Sequence, residues 1–268
     1  MSDTLTVTIL GCGSSGGVPR IGNDWGACDP LNPKNRRLRC SLLVERISTS
    51  GKTTVLIDTG PDLRQQMLEH DVQNVDAVLY THAHADHLHG IDDLRMFAIR
   101  YRRKVPVYMD EATHVRAQSA FGYCFTTPAG SSYPPILERL PLADQKTVTI
   151  VGEGGPIDLL PIEVQHGDIK SLGFRFENIA YLPDVSDIPL SARGGFEDLD
   201  VWILDCLRSD PHPSHFNLDD ALAWADDLKP RQTILTDLHN DLDYEQLRSK
   251  LPKSIIPGYD GMVLTRTL

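Results

Sequence analysis

The stretch Thr81-His82-Ala83-His84-Ala85-Asp86-His87-Leu88-His89-Gly90 decides the predicted fold of this chain. Four histidines and one aspartate fall within eight residues, directly after the apolar run 77–80. Imidazole nitrogens and carboxylate oxygens are ligands for zinc, manganese and iron, and one zinc ion takes three or four of them. The pattern therefore predicts a metal site with two ions at the end of a β-strand. The alternative is a polar surface turn rich in histidine, which composition alone would rarely produce.

The totals describe an ordinary globular chain of 268 residues, 41% hydrophobic and 24% charged. No apolar run is long enough to cross a membrane. The first ten residues alternate as a strand does and lack the basic segment and apolar core of a signal peptide. Five cysteines, an odd number without a Cys-x-x-Cys pair, indicate a reducing compartment. We therefore expect a cytoplasmic protein.

The net charge of -11 bears on the partners that the protein can have. A protein that holds nucleic acid through its phosphates needs a basic face. Basic residues cluster only locally, within 34–39 and 100–104, and the overall field repels polyanions. We expect a small phosphorylated, nucleotide-like substrate, and neither a long nucleic acid nor a membrane as partner.

Alternation and apolar runs predict a chain of many strands and few helices. The expected strands are 5–10, 41–47, 53–58, 76–80, 105–109, 147–151, 157–164, 172–176, 179–182, 201–206 and 232–239. The expected helices are 61–70, 91–99, 110 to about 121, and 217–228. At least four strands end in a potential ligand, which is how a sheet-based enzyme builds a site along one edge. We expect a single domain over 1–268, with the loop 122–141 as a lid or arm.

The glycine-rich segment 11–19 follows the first strand. Backbone N–H groups of such a turn can cradle a phosphate. The glycines do not follow the Gly-x-Gly-x-x-Gly spacing and no helical pattern comes next, which disfavours a dinucleotide fold. A tight structural loop near the active site is the better interpretation.

Two further residues have alternative interpretations. Asp58 ends an apolar strand and is either a turn cap or a carboxylate that holds a ligand histidine in its correct tautomer. Arg95 either contacts a substrate phosphate or pairs with Asp92 or Asp93.

The series His82-x-His84-x-Asp86-His87, then His166, Asp184 and His239, resembles the motif series of the metallo-β-lactamase superfamily. The resemblance implies a four-layer αββα sandwich, with two mixed β-sheets face to face, helices on the outer faces and the site at one edge. It also implies two divalent ions per chain, Zn or Mn, with Fe as another option. By the resemblance, His82, His84 and His166 hold one ion, Asp86, His87 and His239 hold the second, and Asp184 bridges them.

An aspartate at the bridging position is typical of phosphodiesterases, whereas zinc β-lactamases typically have cysteine there. The segments 11–19, 58–62 and 90–95 resemble a narrower branch, the carbon–phosphorus-lyase accessory phosphodiesterases, which are relatives of ribonuclease Z. Members of that branch often carry a structural zinc held by several cysteines and by a histidine three residues after the last metal histidine. Here only Cys28 lies in the corresponding segment and Leu242 occupies the histidine position, so we expect no structural zinc. Whether Cys28 binds a metal stays open.

The resulting hypothesis is an enzyme, a metal-dependent phosphoric diester hydrolase. A hydroxide that bridges two metal ions would attack a small nucleotide-like or cyclic phosphate ester. The leaving alkoxide needs a proton, and the resemblance assigns that task to His215, with Asp205 as its partner and Asp86 as the other catalytic residue. The alternative for His215 is a surface histidine near a helix N-terminus.

Two other functions remain as alternatives. A tRNA 3′-end endonuclease would need a basic arm, and 122–141 carries only Arg139 as a cation. A non-catalytic metal-binding accessory protein of cofactor biosynthesis would need the seven ligands but no proton donor such as His215. The resemblance also suggests a homodimer.

Overall fold

The computed structural model describes residues 3–268 and contains two seven-stranded β-sheets. The strands, in chain order, are β1 (Thr4–Gly11), β2 (Ser41–Ser48), β3 (Gly51–Ile57), β4 (Ala77–Leu79), β5 (Val105–Met109), β6 (Leu137–Pro141), β7 (Val148–Gly152), β8 (Gly155–His166), β9 (Ile169–Phe176), β10 (Ile179–Leu182), β11 (Val201–Asp205), β12 (Gln232–Thr236), β13 (Ile255–Pro257) and β14 (Met262–Thr267). The α-helices are α1 (Leu63–Glu69), α2 (Ala85–Leu88), α3 (Arg95–Tyr101), α4 (Glu111–Phe125), α5 (Leu190–Arg193), α6 (Leu218–Leu228) and α7 (Tyr244–Lys250).

Both sheets are mixed. The first has the order β14-β1-β2-β3-β4-β5-β6, antiparallel from β14 to β3 and parallel from β3 to β6. The second has the order β13-β12-β11-β10-β9-β8-β7, parallel from β13 to β10 and antiparallel from β10 to β7. Parallel neighbours need crossover connections, and these supply the helices.

Three apolar clusters hold the layers together. Because successive side chains of a strand point to opposite faces, Ile57 and Ile203 pack between the sheets, whereas Leu56 and Trp202 pack against the helices outside. The outer clusters include residues of α1, α3 and α4 on one side and of α5, α6 and α7 on the other. The layer order is therefore helix, sheet, sheet, helix, and the predicted αββα sandwich is confirmed.

The site edge follows from strand direction. Parallel strands end at the same edge of a sheet, and β8 runs in the same direction as β10 because both are antiparallel to β9. Six polar residues lie at or just after the ends of β3, β4, β8, β10, β11 and β12, namely Asp58, His82, His166, Asp184, Asp205 and Asp237. Strand direction therefore brings the predicted site residues to the strand ends of both sheets.

The predicted strands are present with small shifts at their ends, but the prediction missed β6, β13, β14, α2, α5 and α7. The helix predicted to end near residue 121 continues to Phe125, with non-helical backbone angles at Phe121 (φ -131°, ψ 32°). Since β6 takes the other end, the predicted arm 122–141 was too long, and only 126–136 lies outside regular structure. The helix predicted at 91–99 begins as a 3₁₀ turn, Ile91–Leu94, before α3. Within residues 3–268, no helix combines the length and the apolar character that crossing a membrane requires.

Asp260, in the connection from β13 to β14, fastens the segments that lead to the site. Its Oδ1 accepts a hydrogen bond from the N–H of Cys12 (3.0 Å), and its Oδ2 accepts one from the N–H of Leu38 (2.6 Å). The carboxylate thus ties the end of β1 to the segment before β2. Removing it would leave two N–H donors without acceptors.

We expect Asp260→Ala to lower the free energy of unfolding by about 2–6 kcal/mol, since it leaves two donors unsatisfied and each costs about 1–3 kcal/mol. Chemical denaturation followed by circular dichroism measures the difference. Asp210→Ala, at an exposed position, is the control and should change stability by less than about 0.5 kcal/mol. Equal losses in the two variants would contradict this role of Asp260.

Candidate metal centre

The histidine-rich loop is fixed by backbone contacts with the loop after β3. The N–H of Thr59 donates to the carbonyl of His87 (2.7 Å), and the N–H of Gly90 donates to the carbonyl of Thr59 (2.8 Å). A Cβ on Gly90 would lie 2.1 Å from the carbonyl oxygen of Gly60, so this approach requires glycine. The loop therefore presents its side chains from a rigid backbone.

Four of the predicted ligands lie together. The ligand atoms of His82, His84, His166 and Asp184 all lie within 4.8 Å of one another. Oδ2 of Asp184 is 3.5 Å from Nε2 of both His82 and His166, and Nε2 of His166 is 3.2 Å from Nδ1 of His84. These residues are the set that the resemblance implies for the first ion, together with the bridging aspartate.

The second predicted set is partly assembled around the other oxygen of Asp184. Nε2 of His87 lies 3.3 Å from Oδ1 of Asp184 and 3.5 Å from Oδ2 of Asp86. His239 reaches the same cleft, but its Nε2 accepts a hydrogen bond from Arg20. Asp184 thus directs one oxygen towards each set, as a bridging ligand would.

Hydrogen bonds at the far ring nitrogens orient three of the histidines. Nδ1 of His87 donates to Oδ2 of Asp58 (2.8 Å), and Nδ1 of His166 donates to the carbonyl of Ser214 (2.6 Å). Nδ1 of His82 lies 3.0 Å from the hydroxyl of Thr81. A protonated Nδ1 leaves Nε2 as a lone-pair donor directed into the cluster.

Asp58 makes the contact with His87 that the second of its two predicted roles requires. It is fully buried, in a left-handed conformation (φ 64°), and it accepts hydrogen bonds from the N–H and the hydroxyl of Thr81, each at 2.8 Å. Its bond to His87 fixes that ring. Asp58 therefore fixes the orientation of His87, which is a predicted metal ligand.

The cluster fits a divalent cation. Within residues 3–268, Nε2 of His82, Nε2 of His87 and Oδ1 of Asp184 are buried and have no hydrogen-bond partner. Buried polar atoms without partners are costly and rare in folded proteins. A set of imidazole nitrogens and carboxylate oxygens that face one another is satisfied by a metal ion.

The charges of the side chains agree with that use. Burial lowers the pKa of His82 well below its usual range and also lowers the pKa of His166, so both rings are neutral and keep a lone pair. Burial would raise the pKa of Asp184, but His87 and His82 lower it well below the usual range. Neutral His82 and His166 beside an ionised Asp184 have the protonation states of metal ligands. His87 differs, because burial opposes its protonation but Asp184, Asp86 and Asp58 raise its pKa well above the usual range.

His215 lies beside the cluster, with its ring centroid 4.6 Å from that of His166. Its Nδ1 is 2.9 Å from Oδ2 of Asp205 and 3.3 Å from Oδ2 of Asp237. Burial opposes protonation of His215, but these carboxylates raise its pKa to about 10. The predicted pairing with Asp205 is present, and His215 carries a proton.

Asp237 is a site residue that the sequence analysis missed. It is buried, its Oδ2 has no hydrogen-bond partner within the described chain, and it forms a possible ligand group with Asp184 and His215. A usable signal was present, since Asp237 follows β12 directly, as other site acids follow their strands.

A cleft of about 330 Å³ opens onto these side chains. It is lined by Asp86, His166, Asp184, His215, Asp237 and His239, and also by Ser14 and Ser15 of the glycine-rich segment, by Arg20 directly after that segment, by Arg208 and by His212. Arg20, Arg208 and His212 were not predicted to lie here.

Arg95 lies outside this cleft. Its Nη2 is 2.5 Å from Oδ1 of Asp92, and its side chain lines a separate pocket with Tyr123 and Tyr133. The predicted contact with a substrate phosphate is therefore wrong, because the i,i+3 ion pair takes the guanidinium. Cys28 contacts Arg37, whose Nη1 lies 3.9 Å from the Cys28 Sγ.

Comparison with known proteins gives two matches over most of the chain. A family model described as a beta-lactamase superfamily domain matches residues 53–237, more than half of the chain. A crystal structure described as a new diphosphatase from the PhnP family is 35% identical in sequence, with a TM-score of 0.88 over 99% of this chain and 98% of that one.

Two further proteins are similar in a more limited way. An octanoyltransferase of Porphyromonas gingivalis (strain ATCC BAA-308 / W83) is 31% identical over 259 residues, 95% of this chain and 50% of that protein. The chain thus spans about half the length of this curated relative. Zn²⁺-bound PqqB from Methylobacterium extorquens is 17% identical, with a TM-score of 0.74 over 97% of this chain and 99% of that one, and shows the shared fold alone.

We expect added Zn²⁺ or Mn²⁺ to raise the melting temperature of protein stripped with a chelator, because an ion that binds only the folded state stabilises it. Differential scanning fluorimetry measures the shift, and elemental analysis after dialysis measures bound metal. Asp184→Asn should lose most of both responses. A full response in Asp184→Asn would exclude the cluster as the binding site.

We expect Asp58→Asn to weaken metal binding about 10–100-fold, because residues that orient a ligand histidine have effects of that size. Competition with a chromophoric chelator measures the affinity. Asp92→Asn, at the surface ion pair with Arg95, is the matched control and should leave the affinity unchanged. Equal affinities in all three proteins would show that Asp58 has no part in metal binding.

Proposed function

The chain belongs to the β-lactamase superfamily and is a metal-dependent hydrolase, and we propose that its substrate is a small nucleotide-like or cyclic phosphate ester, cleaved with the help of two divalent ions. One observation carries the proposal. A buried carboxylate, Asp184, faces the two predicted groups of histidine ligands, and His215, held by Asp205, lines the same cleft.

The residues that would hold the ions are those named from the sequence. His82, His84 and His166 would take one ion, Asp86, His87 and His239 the other, and Asp184 both. Two bound divalent ions supply positive charge that stabilises a phosphoryl-transfer transition state and makes water a competent nucleophile at neutral pH.

His215 is the proposed proton donor. Asp205 holds its Nδ1, so Nε2 is left to give a proton to the oxygen that departs from phosphorus. The His166 ring donates to the carbonyl of Ser214, the residue before His215. This bond links the position of the proton donor to that of a metal ligand.

Phosphate chemistry is supported by the bridging residue and by one comparison. Aspartate at position 184 matches the phosphodiesterase pattern of the resemblance and not the cysteine of zinc β-lactamases. The similar structure described as a diphosphatase covers nearly the whole of both chains, and it favours a second candidate, cleavage of the P–O–P bond of a diphosphate. The octanoyltransferase is about twice as long as the region it shares with this chain, so its activity supports no acyl transfer here.

The endonuclease alternative finds little support. Arg139, the cation of the proposed arm, lies in β6 and pairs with Glu111 at 2.7 Å. With a net charge of -11, the chain offers no general attraction for a long RNA.

A substrate panel on protein of measured metal content tests the proposal. Cyclic nucleotides, phosphoribosyl cyclic phosphate, a dinucleoside diphosphate, precursor tRNA and bis(4-nitrophenyl) phosphate are assayed before and after chelation. We expect metal-dependent turnover of small phosphate esters or of the diphosphate. Absence of metal-dependent turnover on all small substrates would remove the proposal, and cleavage of tRNA alone would replace it.

We expect His215→Ala to lower kcat by roughly 10²–10⁴-fold for a cyclic nucleotide, whose ribose alkoxide needs a proton. The loss should be much smaller for bis(4-nitrophenyl) phosphate, because 4-nitrophenolate leaves without protonation. Steady-state kinetics on both substrates give the comparison, with metal content measured in parallel. His70→Ala, far from the cleft, is the control. Equal losses on the two substrates would contradict proton donation by His215.

A further inference from the structure

The glycine-rich turn after β1 reaches the metal cleft with unused donors. The N–H of Gly17 donates to the carbonyl of Ser14 (2.8 Å) and closes the turn, with Gly17 in a left-handed conformation (φ 62°). The intervening residues Ser15 and Gly16 are exposed, and within residues 3–268 their N–H groups meet no acceptor. Adjacent free N–H groups in such a turn form a concavity suited to an anion.

Ser14 adds a side-chain donor at the same place. It is 3% exposed and lines the cleft together with Asp86 and His239. Its hydroxyl has no hydrogen-bond partner within the described residues. A buried hydroxyl without a partner is unfavourable, so an acceptor that enters the cleft would satisfy it.

Arg20 completes the group. Reciprocal backbone hydrogen bonds with Asp24, at 2.9 and 3.2 Å, fix its main chain. Its side chain lies across Gly16, where a Cβ would be 3.2 Å from Nε of Arg20. The guanidinium then reaches Nε2 of His239 at the edge of the metal cluster. That nitrogen cannot accept from Arg20 and bind a cation at once, so a metal on His239 frees the guanidinium for another acceptor.

The charge of these donors is not neutralised locally. Within the described chain, neither Arg20 nor Arg208, which also lines the cleft, pairs with a carboxylate. Arg208 donates to the carbonyls of Asp210 (3.1 Å) and Pro211 (2.6 Å) instead. Asp86, Asp184 and Asp237 line the same cleft, so the two arginines would favour an anion once bound cations offset these carboxylates. A planar guanidinium matches phosphate geometry.

We propose that the hydroxyl of Ser14, the N–H groups of Ser15 and Gly16 and the guanidinium of Arg20 form an anion subsite for a phosphoryl group next to the one that is attacked. The proposal rests on the proposed phosphate hydrolysis and selects its diphosphate branch. The reason is distance. Arg20 touches a predicted metal ligand, so its anion lies directly beside the reacting phosphate, as the second phosphorus of a P–O–P group does.

Calorimetric binding to the metal-loaded protein tests the subsite without turnover. The probes are AMP and α,β-methylene-ADP, whose P–C–P link resists hydrolysis. The readout is the ratio of the two dissociation constants, which isolates the second phosphoryl group. We expect the wild type to bind the diphosphate analogue about tenfold more tightly than AMP. A tenfold difference in the dissociation constant is the effect expected of one charge-assisted hydrogen bond.

Variants then show which residues produce the difference between the two dissociation constants. Arg20→Gln should reduce it to less than about threefold, and Ser14→Ala should reduce it partly. Arg36→Gln is the matched control, because Arg36 is exposed on the same segment and lies over the ring of Trp25 (5.3 Å). It should keep the full ratio. Melting temperatures confirm folding, and Ser14→Ala decides the outcome if Arg20→Gln is poorly folded.

The outcomes separate this proposal from the proposed function. A wild-type ratio near one, or a full ratio in both Arg20→Gln and Ser14→Ala, overturns the subsite even where the enzyme hydrolyses phosphate esters. A ratio that depends on Arg20, in a protein without phosphate turnover, supports the subsite and removes the proposed reaction.

Discussion

The site depends on one buried carboxylate, Asp184, which three imidazoles surround. An ionised group that is 2% exposed is tolerated only where partners compensate its lost hydration, and His82, His166 and His87 lie 3.3–3.5 Å away. The next residue, Val185, donates its N–H to Asp205, which in turn holds His215. Two successive residues after β10 therefore position both the metal cluster and the proton donor.

The sequence predicted the candidate site best where its residues lie close together in the chain. His82, His84, Asp86 and His87 lie on one short loop, and their spacing alone predicted a metal site. Most strands were also readable, because an unbroken apolar run such as Val55-Leu56-Ile57 indicates a strand that is buried on both faces. The resemblance added the distant ligands His166, Asp184 and His239, which no local pattern connects.

The failures concern residues whose role depends on tertiary neighbours. Asp237 and Arg20 carry no motif of their own, and they join the cleft only because β12 and the turn after β1 end beside it. The predicted contact of Arg95 with a substrate phosphate failed for the opposite reason. Its guanidinium forms an ion pair with a local partner, Asp92, one helical turn away. Substrate preference could not be predicted from the sequence, because the cleft is assembled from loops that lie far apart in the chain.

The proposed ligands come from loops of both sheets, and this has a consequence for the stability of the folded chain. His84 and His166 are 82 residues apart in sequence, and their ring nitrogens lie 3.2 Å apart across the sheet edge. The unfolded chain does not hold such residues together, so a shared ion would bind only the folded state, and its binding free energy would add to the free energy of unfolding. The concentration of metal in the surrounding medium would then determine how long the protein resists proteolysis as well as how fast it converts its substrate.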